Sequence, residues 1–188
     1  TGQAESSDLI AGLDWVTGKL VTGVFQGASR RPAVVNISMT VSSGISAIKA
    51  LSQMTGLGAT VVVAAGNSHE NTCGSVNDIS GVITVGASTK FDGAAGFSNY
   101  GSCLDLYAPG DGIRIATRNG GYGGDSGTSF SAPYVAGVSA LLKSKYSAMK
   151  FDPPGLESYM KNVLATSNMI QGAPSGTTRN LLHKPQYL

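Results

Sequence analysis

Residues 127–146 read GTSFSAPYVAGVSALLKSKY. The run opens with small residues and then turns helical in period, with Val135, Val138, Leu141 and Leu142 as its apolar stripe. This predicts a helix from Gly127 or Thr128 to about Tyr146. Pro133 falls in its first turns, where a missing N–H is tolerated better than in mid-helix. A serine at the mouth of such a helix meets unpaired backbone N–H groups and the positive end of the helix dipole. Both stabilise an oxyanion forming beside Ser129. Gly127 lets another backbone approach closely. The ordinary alternative for Ser129 is an N-cap on a core helix.

Upstream, apolar runs alternate with helical patterns. Residues 33–39 (AVVNISM), 59–67 (ATVVVAAGN) and 81–88 (GVITVGAS) read as short buried strands. Residues 42–58 read as a helix with Ile45, Ile48, Leu51 and Met54 on its apolar face, ended by Gly56 or Gly58. Another helix is expected from about Asp8 to Leu20, its apolar side carrying Leu9, Ile10, Leu13, Trp15 and Val16. Strand, helix, strand alternation is the mark of a parallel sheet with crossover helices. Beyond Asp92 come short strands, LDLYAP (104–109) and GIRIAT (112–117), among turns. After the Pro pair, residues 152–167 suggest a C-terminal helix.

The 188 residues fit one domain. Charged residues make up 13%, against ~25% in an ordinary globular domain. The 26 glycines are about twice the usual share, so the chain is compact and turn-rich. A net charge of +2 with scattered basic residues argues against a nucleic-acid partner. The pair Arg30 and Arg31 reads as a solvated loop. No apolar run reaches the ~18 residues of a membrane span, so no membrane partner is expected. The opening TGQAESSDLIAG has no basic or apolar leader region and no initiating Met, which suggests a processed or excised product. Cys73 and Cys103 are compatible with one disulfide or with two free thiols. Asn36-Ile37-Ser38 forms a glycosylation sequon, but it lies inside a predicted buried strand and is read as structural.

Gly127-Thr128-Ser129-Phe130-Ser131-Ala132-Pro133 is similar to the G-T-S-x-[SA]-x-P signature of the subtilase family. The likeness runs on through Tyr134-Val135-Ala136-Gly137, where the family has His-Val-Ala-Gly. Ala64-Ala65-Gly66-Asn67 resembles the family's AAGN motif. Residues 9–16, LIAGLDWV, look like the I-I-A-G-M-D-F-V region of its proteinase K-like branch. The resemblance covers nearly the whole chain. It implies a subtilisin-like α/β fold, a mostly parallel sheet with helices on both faces, of which residues 1–188 form a partial peptidase catalytic domain lacking its N-terminal part.

The resemblance further implies a serine endopeptidase working through an acyl-enzyme on a polypeptide substrate. Ser129 is the nucleophile, and Asn67 donates to the oxyanion. Ser38, Met39 and Thr40 form one wall of the substrate groove and Ala64, Ala65 and Gly66 the other, with Gly127 and Thr128 beside the nucleophile. Thr40 and Val41 replace two family glycines, and their side chains are expected to narrow the groove. An apolar or aromatic preference follows only from the Ala-Ala-Gly wall. Relatives imply a Cys73–Cys103 disulfide and hence an extracellular enzyme. They also imply a structural Ca²⁺ held by the carbonyls of Ser80 and Val82 and by Asp105.

The family's Asp and His motifs precede the first helix, and neither occurs here at a sensible position. Asp125-Ser126-Gly127 matches the Asp motif in letters but lies too near Ser129 for a His to bridge them. The two histidines, His69 and His183, match no triad position and read as surface residues. A serine hydroxyl without a base is a weak nucleophile, so the chain alone is expected to be nearly inactive. It is also expected to be poorly soluble or partly unfolded unless the N-terminal part is supplied, and that part or a propeptide is an expected partner. The rival reading is a non-catalytic subtilase-derived fragment or pseudoenzyme, acting as a binding module or antigen.

Overall fold

A computed structural model describes residues 6–22, 31–41, 44–74 and 76–182. Arg30, Ser42, Ser43 and His183 lie outside them. The central sheet has the order β1-β2-β3-β4-β8-β7. Its strands are β1 (Val34–Ile37), β2 (Thr60–Ala64), β3 (Val82–Ser88), β4 (Leu106–Pro109), β7 (Ala165–Thr166) and β8 (Leu181–Leu182). All neighbouring pairs run parallel except the antiparallel β7–β8 pair. A separate hairpin joins β5 (Ile113–Ala116) to β6 (Tyr122–Asp125).

Alternating side chains of the sheet divide its two covering layers. Val61, Val63 and Val82 pack with Leu13 and Leu20 of α1 (Ser6–Thr22) and with Leu51 and Met54 of α2 (Ile45–Gly56). Val62, Ile83, Val85 and Leu106 pack with Val135 and Leu142 of α3 (Thr128–Lys145) and with Leu156 of α4 (Pro153–Tyr159). With both faces covered, every residue of β2 and β3 is buried, which explains why these strands read as unbroken apolar runs. The expected α/β layering is therefore present.

Several local expectations change. Trp15 and Ile45 are exposed, because the helix faces that bury are those of Leu13 with Thr17 and of Ala47 with Leu51. Leu141 is likewise exposed, while its neighbour Leu142 is buried against the sheet. Asn36 is exposed rather than buried, because β1 ends the sheet order and pairs with β2. Its side chain donates to Ser38 Oγ at 2.8 Å. Nor does the C-terminal helix run to residue 167. It starts at Pro153, capped by Asp152, whose carboxylate accepts from Gly155 N. It then widens to a π-turn over Met160–Leu164 and ends where Ala165 and Thr166 pair with β8.

Candidate functional site

The carboxyl ends of β1 and β2 and the N-terminus of α3 converge, the usual location of a site on an open parallel sheet. Thr128, the first residue of α3, ties the β2 end to the helix. Its N–H and its Oγ1 each donate to Asn67 Oδ1 at 2.9 Å. Gly66 N donates in turn to Thr128 Oγ1 at 3.1 Å. With Oδ1 so engaged, the Asn67 amide directs its NH₂ the other way. Asn67 is exposed, and its Nδ2 lies 3.2 Å from where a Cβ on Gly127 would stand. Gly66 has φ +105°, and a Cβ there would come within 2.5 Å of Asn99 Nδ2, so the loop requires glycine on both counts.

Ser129 is half-buried one residue further into α3, and its hydroxyl donates to the carbonyl of Ser38 at 2.9 Å. This contact brings the β1 end to the serine. A carbonyl accepts the hydrogen bond but cannot take up the proton, so this arrangement leaves the hydroxyl unactivated. In the first turn of α3 the Thr128 N–H is taken by Asn67 Oδ1 and the Phe130 N–H by Gly127 O at 3.0 Å, while the N-cap, Gly127, supplies no side-chain acceptor to the turn. The Asn67 amide nitrogen stands beside Gly127, two residues ahead of Ser129.

The residues expected to wall the groove differ in burial. Ala64, Ala65 and Gly66 are buried, whereas Met39 and Thr40 are exposed and Val41 turns into the core. Thr40 Oγ1 sits 3.6 Å from the Cβ position of Gly66, so it reaches across toward the opposite wall. His69, in a left-handed conformation at φ 53°, packs edge-on against Tyr100 in the loop beyond Asn67.

Asn99 is a positioning residue that the sequence did not single out. It is 3% exposed; its Oδ1 accepts from Ser68 N and Glu70 N, and its Nδ2 donates to Ala65 O. These three bonds hold the loop on both sides of Asn67. Only an asparagine in a Ser-Asn-Tyr-Gly turn hinted at it, and such residues are common in turns.

Cys73 and Cys103 form a disulfide between this loop and the segment leading to β4. Below it, Ser80, Val82 and Asp105 line one cavity, as the calcium expectation requires, but Glu157 and Lys161 line it too. Lys161 Nζ stands 2.7 Å from Asp105 Oδ1 and 3.3 Å from Glu157 Oε1. Asp105 Oδ2 accepts from Thr84 N, and Glu157 Oε2 from Gly81 N, both at 2.7 Å. All four carboxylate oxygens therefore have protein donors, which does not suit a cation needing six to eight oxygen ligands. Burial pushes the Asp105 carboxyl up to about 6, against the pull of Lys161 and the Thr84 N–H. Burial alone would lower the Lys161 pKa, but its bonds to Asp105 and Glu157 outweigh that and raise it.

The subtilase family matches residues 2–180. The chain is 37% identical over 190 residues to the extracellular serine proteinase of Thermus sp. (strain Rt41A), covering 98% of this chain and 43% of that protein. It is 38% identical over 183 residues to the subtilisin-like serine protease Pen c 1 of Penicillium citrinum, covering 97% and 44%. Among solved structures it is similar to a cold-adapted subtilisin-like serine proteinase, with 34% identity and a TM-score of 0.83. That match covers 98% of this chain and 63% of the other. The chain thus spans less than half the length of these curated relatives.

Proposed function

The chain belongs to the subtilase family, and from that membership we propose that it is the nucleophile-bearing part of a secreted serine endopeptidase. Ser129 attacks the scissile carbonyl of an extended polypeptide. The tetrahedral oxyanion is held by Asn67 Nδ2 and the Ser129 N–H, and collapse leaves an acyl-enzyme that water hydrolyses. The histidine base and its aspartate come from a segment outside these 188 residues. Extracellular operation accords with the disulfide and with the likeness to the extracellular serine proteinase of Thermus.

One observation carries this reading. Thr128 gives both its donors to Asn67 Oδ1, which fixes the amide with its nitrogen beside Gly127, two residues ahead of Ser129. A mere N-cap has no need of such an arrangement. The Ser129 hydroxyl, bonded to Ser38 O, also supports the view that these residues alone do not activate the nucleophile.

A fluorophosphonate probe tests the reading. The 188-residue chain alone is expected to stay unlabelled, and addition of the upstream segment is expected to restore labelling at Ser129. Labelling of the chain alone would mean that these residues contain their own base. If the completed enzyme labels normally with Ser129→Ala, the nucleophile is assigned wrongly.

A further inference from the structure

The cavity under residues 77–82, about 290 Å³, contains a cation of its own. Lys161 reaches in from the π-turn after α4 and bridges Asp105, just ahead of β4, to Glu157 one helical turn earlier. The remaining charged group lining the cavity, Asp78, accepts from Gly74 N at 2.6 Å and is exposed. A chain of hydrogen bonds leads from the ion pair toward the site. Thr84, whose N–H donates to Asp105, gives its Oγ1 proton to Asn77 Oδ1. Asn77 Nδ2 donates to both oxygens of Thr72, and Thr72 Oγ1 donates to Ala65 O, two residues before Asn67. The cation in this cavity therefore braces the loop that carries the oxyanion donor.

We propose that Lys161 is the built-in cation of this brace. Its ammonium holds Asp105 and Glu157 together, so this chain draws no stability from calcium at the positions of Ser80, Val82 and Asp105. The geometry follows from the donors already present: an ion ligated by Asp105 Oδ1 has to displace the ammonium 2.7 Å away, and no carboxylate oxygen of the pair is left without a partner. An attached cation is present at every calcium concentration. The inference concerns the brace alone and stands whether or not Ser129 is a nucleophile.

Thermal unfolding and calcium titration of the 188-residue chain, with and without EDTA, test the proposal. The unmodified chain should unfold at the same temperature in excess Ca²⁺ and in EDTA, with no stoichiometric calcium uptake by calorimetry. Lys161→Met removes the ammonium and leaves two carboxylates to share the cavity. Its unfolding temperature should fall by several degrees in EDTA and recover in Ca²⁺, with one ion bound. Lys161→Gln, which keeps a polar tip, should behave alike if the Met variant folds poorly. A calcium-dependent unfolding temperature in the unmodified chain, lost on Asp105→Asn, overturns the proposal. So does a folded Lys161 variant indifferent to Ca²⁺, or failure of both variants to fold even in Ca²⁺.

Discussion

Asn67 is held by two residues far along the chain. Thr128 orients its amide, and Asn99 fixes the backbone around it through three bonds from a side chain that is almost wholly buried. Asn99→Ala removes the acceptor of the Ser68 and Glu70 N–H groups and one of the two donors to Ala65 O, which keeps Thr72 Oγ1, and each such hydrogen bond contributes about 0.5–1.5 kcal/mol. We expect a loss of roughly 2–4 kcal/mol in urea unfolding. Asn99→Asp keeps the acceptor but replaces the donor to Ala65 O, so it should fall between the two. Equal stability of Asn99→Ala and the parent chain would show that the loop holds itself. If Asn67 donates to the oxyanion as proposed, Asn67→Ala should act on rate in the completed enzyme, where loss of one such donor costs about 10²–10³ in kcat.

Each helix presents one face to the sheet, and the sheet decides which. In α3 the neighbours Leu141 and Leu142 divide, one 49% exposed and the other fully buried among the residues of β3, β4 and α4. Leu142→Ala should therefore cost about 2–5 kcal/mol, and Leu141→Ala no more than about 0.5 kcal/mol. Chemical denaturation of the two variants distinguishes this packing from any in which both leucines are buried. The span of α3 was legible, because its apolar period and its glycine start are local signals. The exposure of Ile45 and Trp15 was not, since a helix stripe shows periodicity but not how wide a face its neighbours cover. The C-terminal helix ends before residue 167 for a related reason: Ala165 is a good helix former, but β8 offers it a strand partner.

Across the whole molecule, the disulfide closes the loop that the Asn99 bonds and the Lys161 brace also restrain. Cys73 and Cys103 are 30 residues apart, and closing a loop of that length is worth roughly 3–4 kcal/mol in the chain-entropy account. Cys73→Ser paired with Cys103→Ser should lower the unfolding temperature by roughly 10 °C, whereas an unchanged temperature would mean that the loop is already fixed without the bond. The sequence by itself determined the alternation of strands and helices, the serine at a helix mouth and the Ala-Gly-Asn loop, and motif resemblance added the disulfide pairing. These are carried by contiguous runs, whose period and turn residues act locally. Tertiary structure alone decided that Asn99 braces the loop around Asn67, that Asn36 faces outward from β1, and that a lysine from the π-turn after α4 stands where a calcium ion was expected. Each of these depends on which distant segments the sheet order brings together, and hydrogen bonds and charge pairs across such distances leave no period in the chain to read.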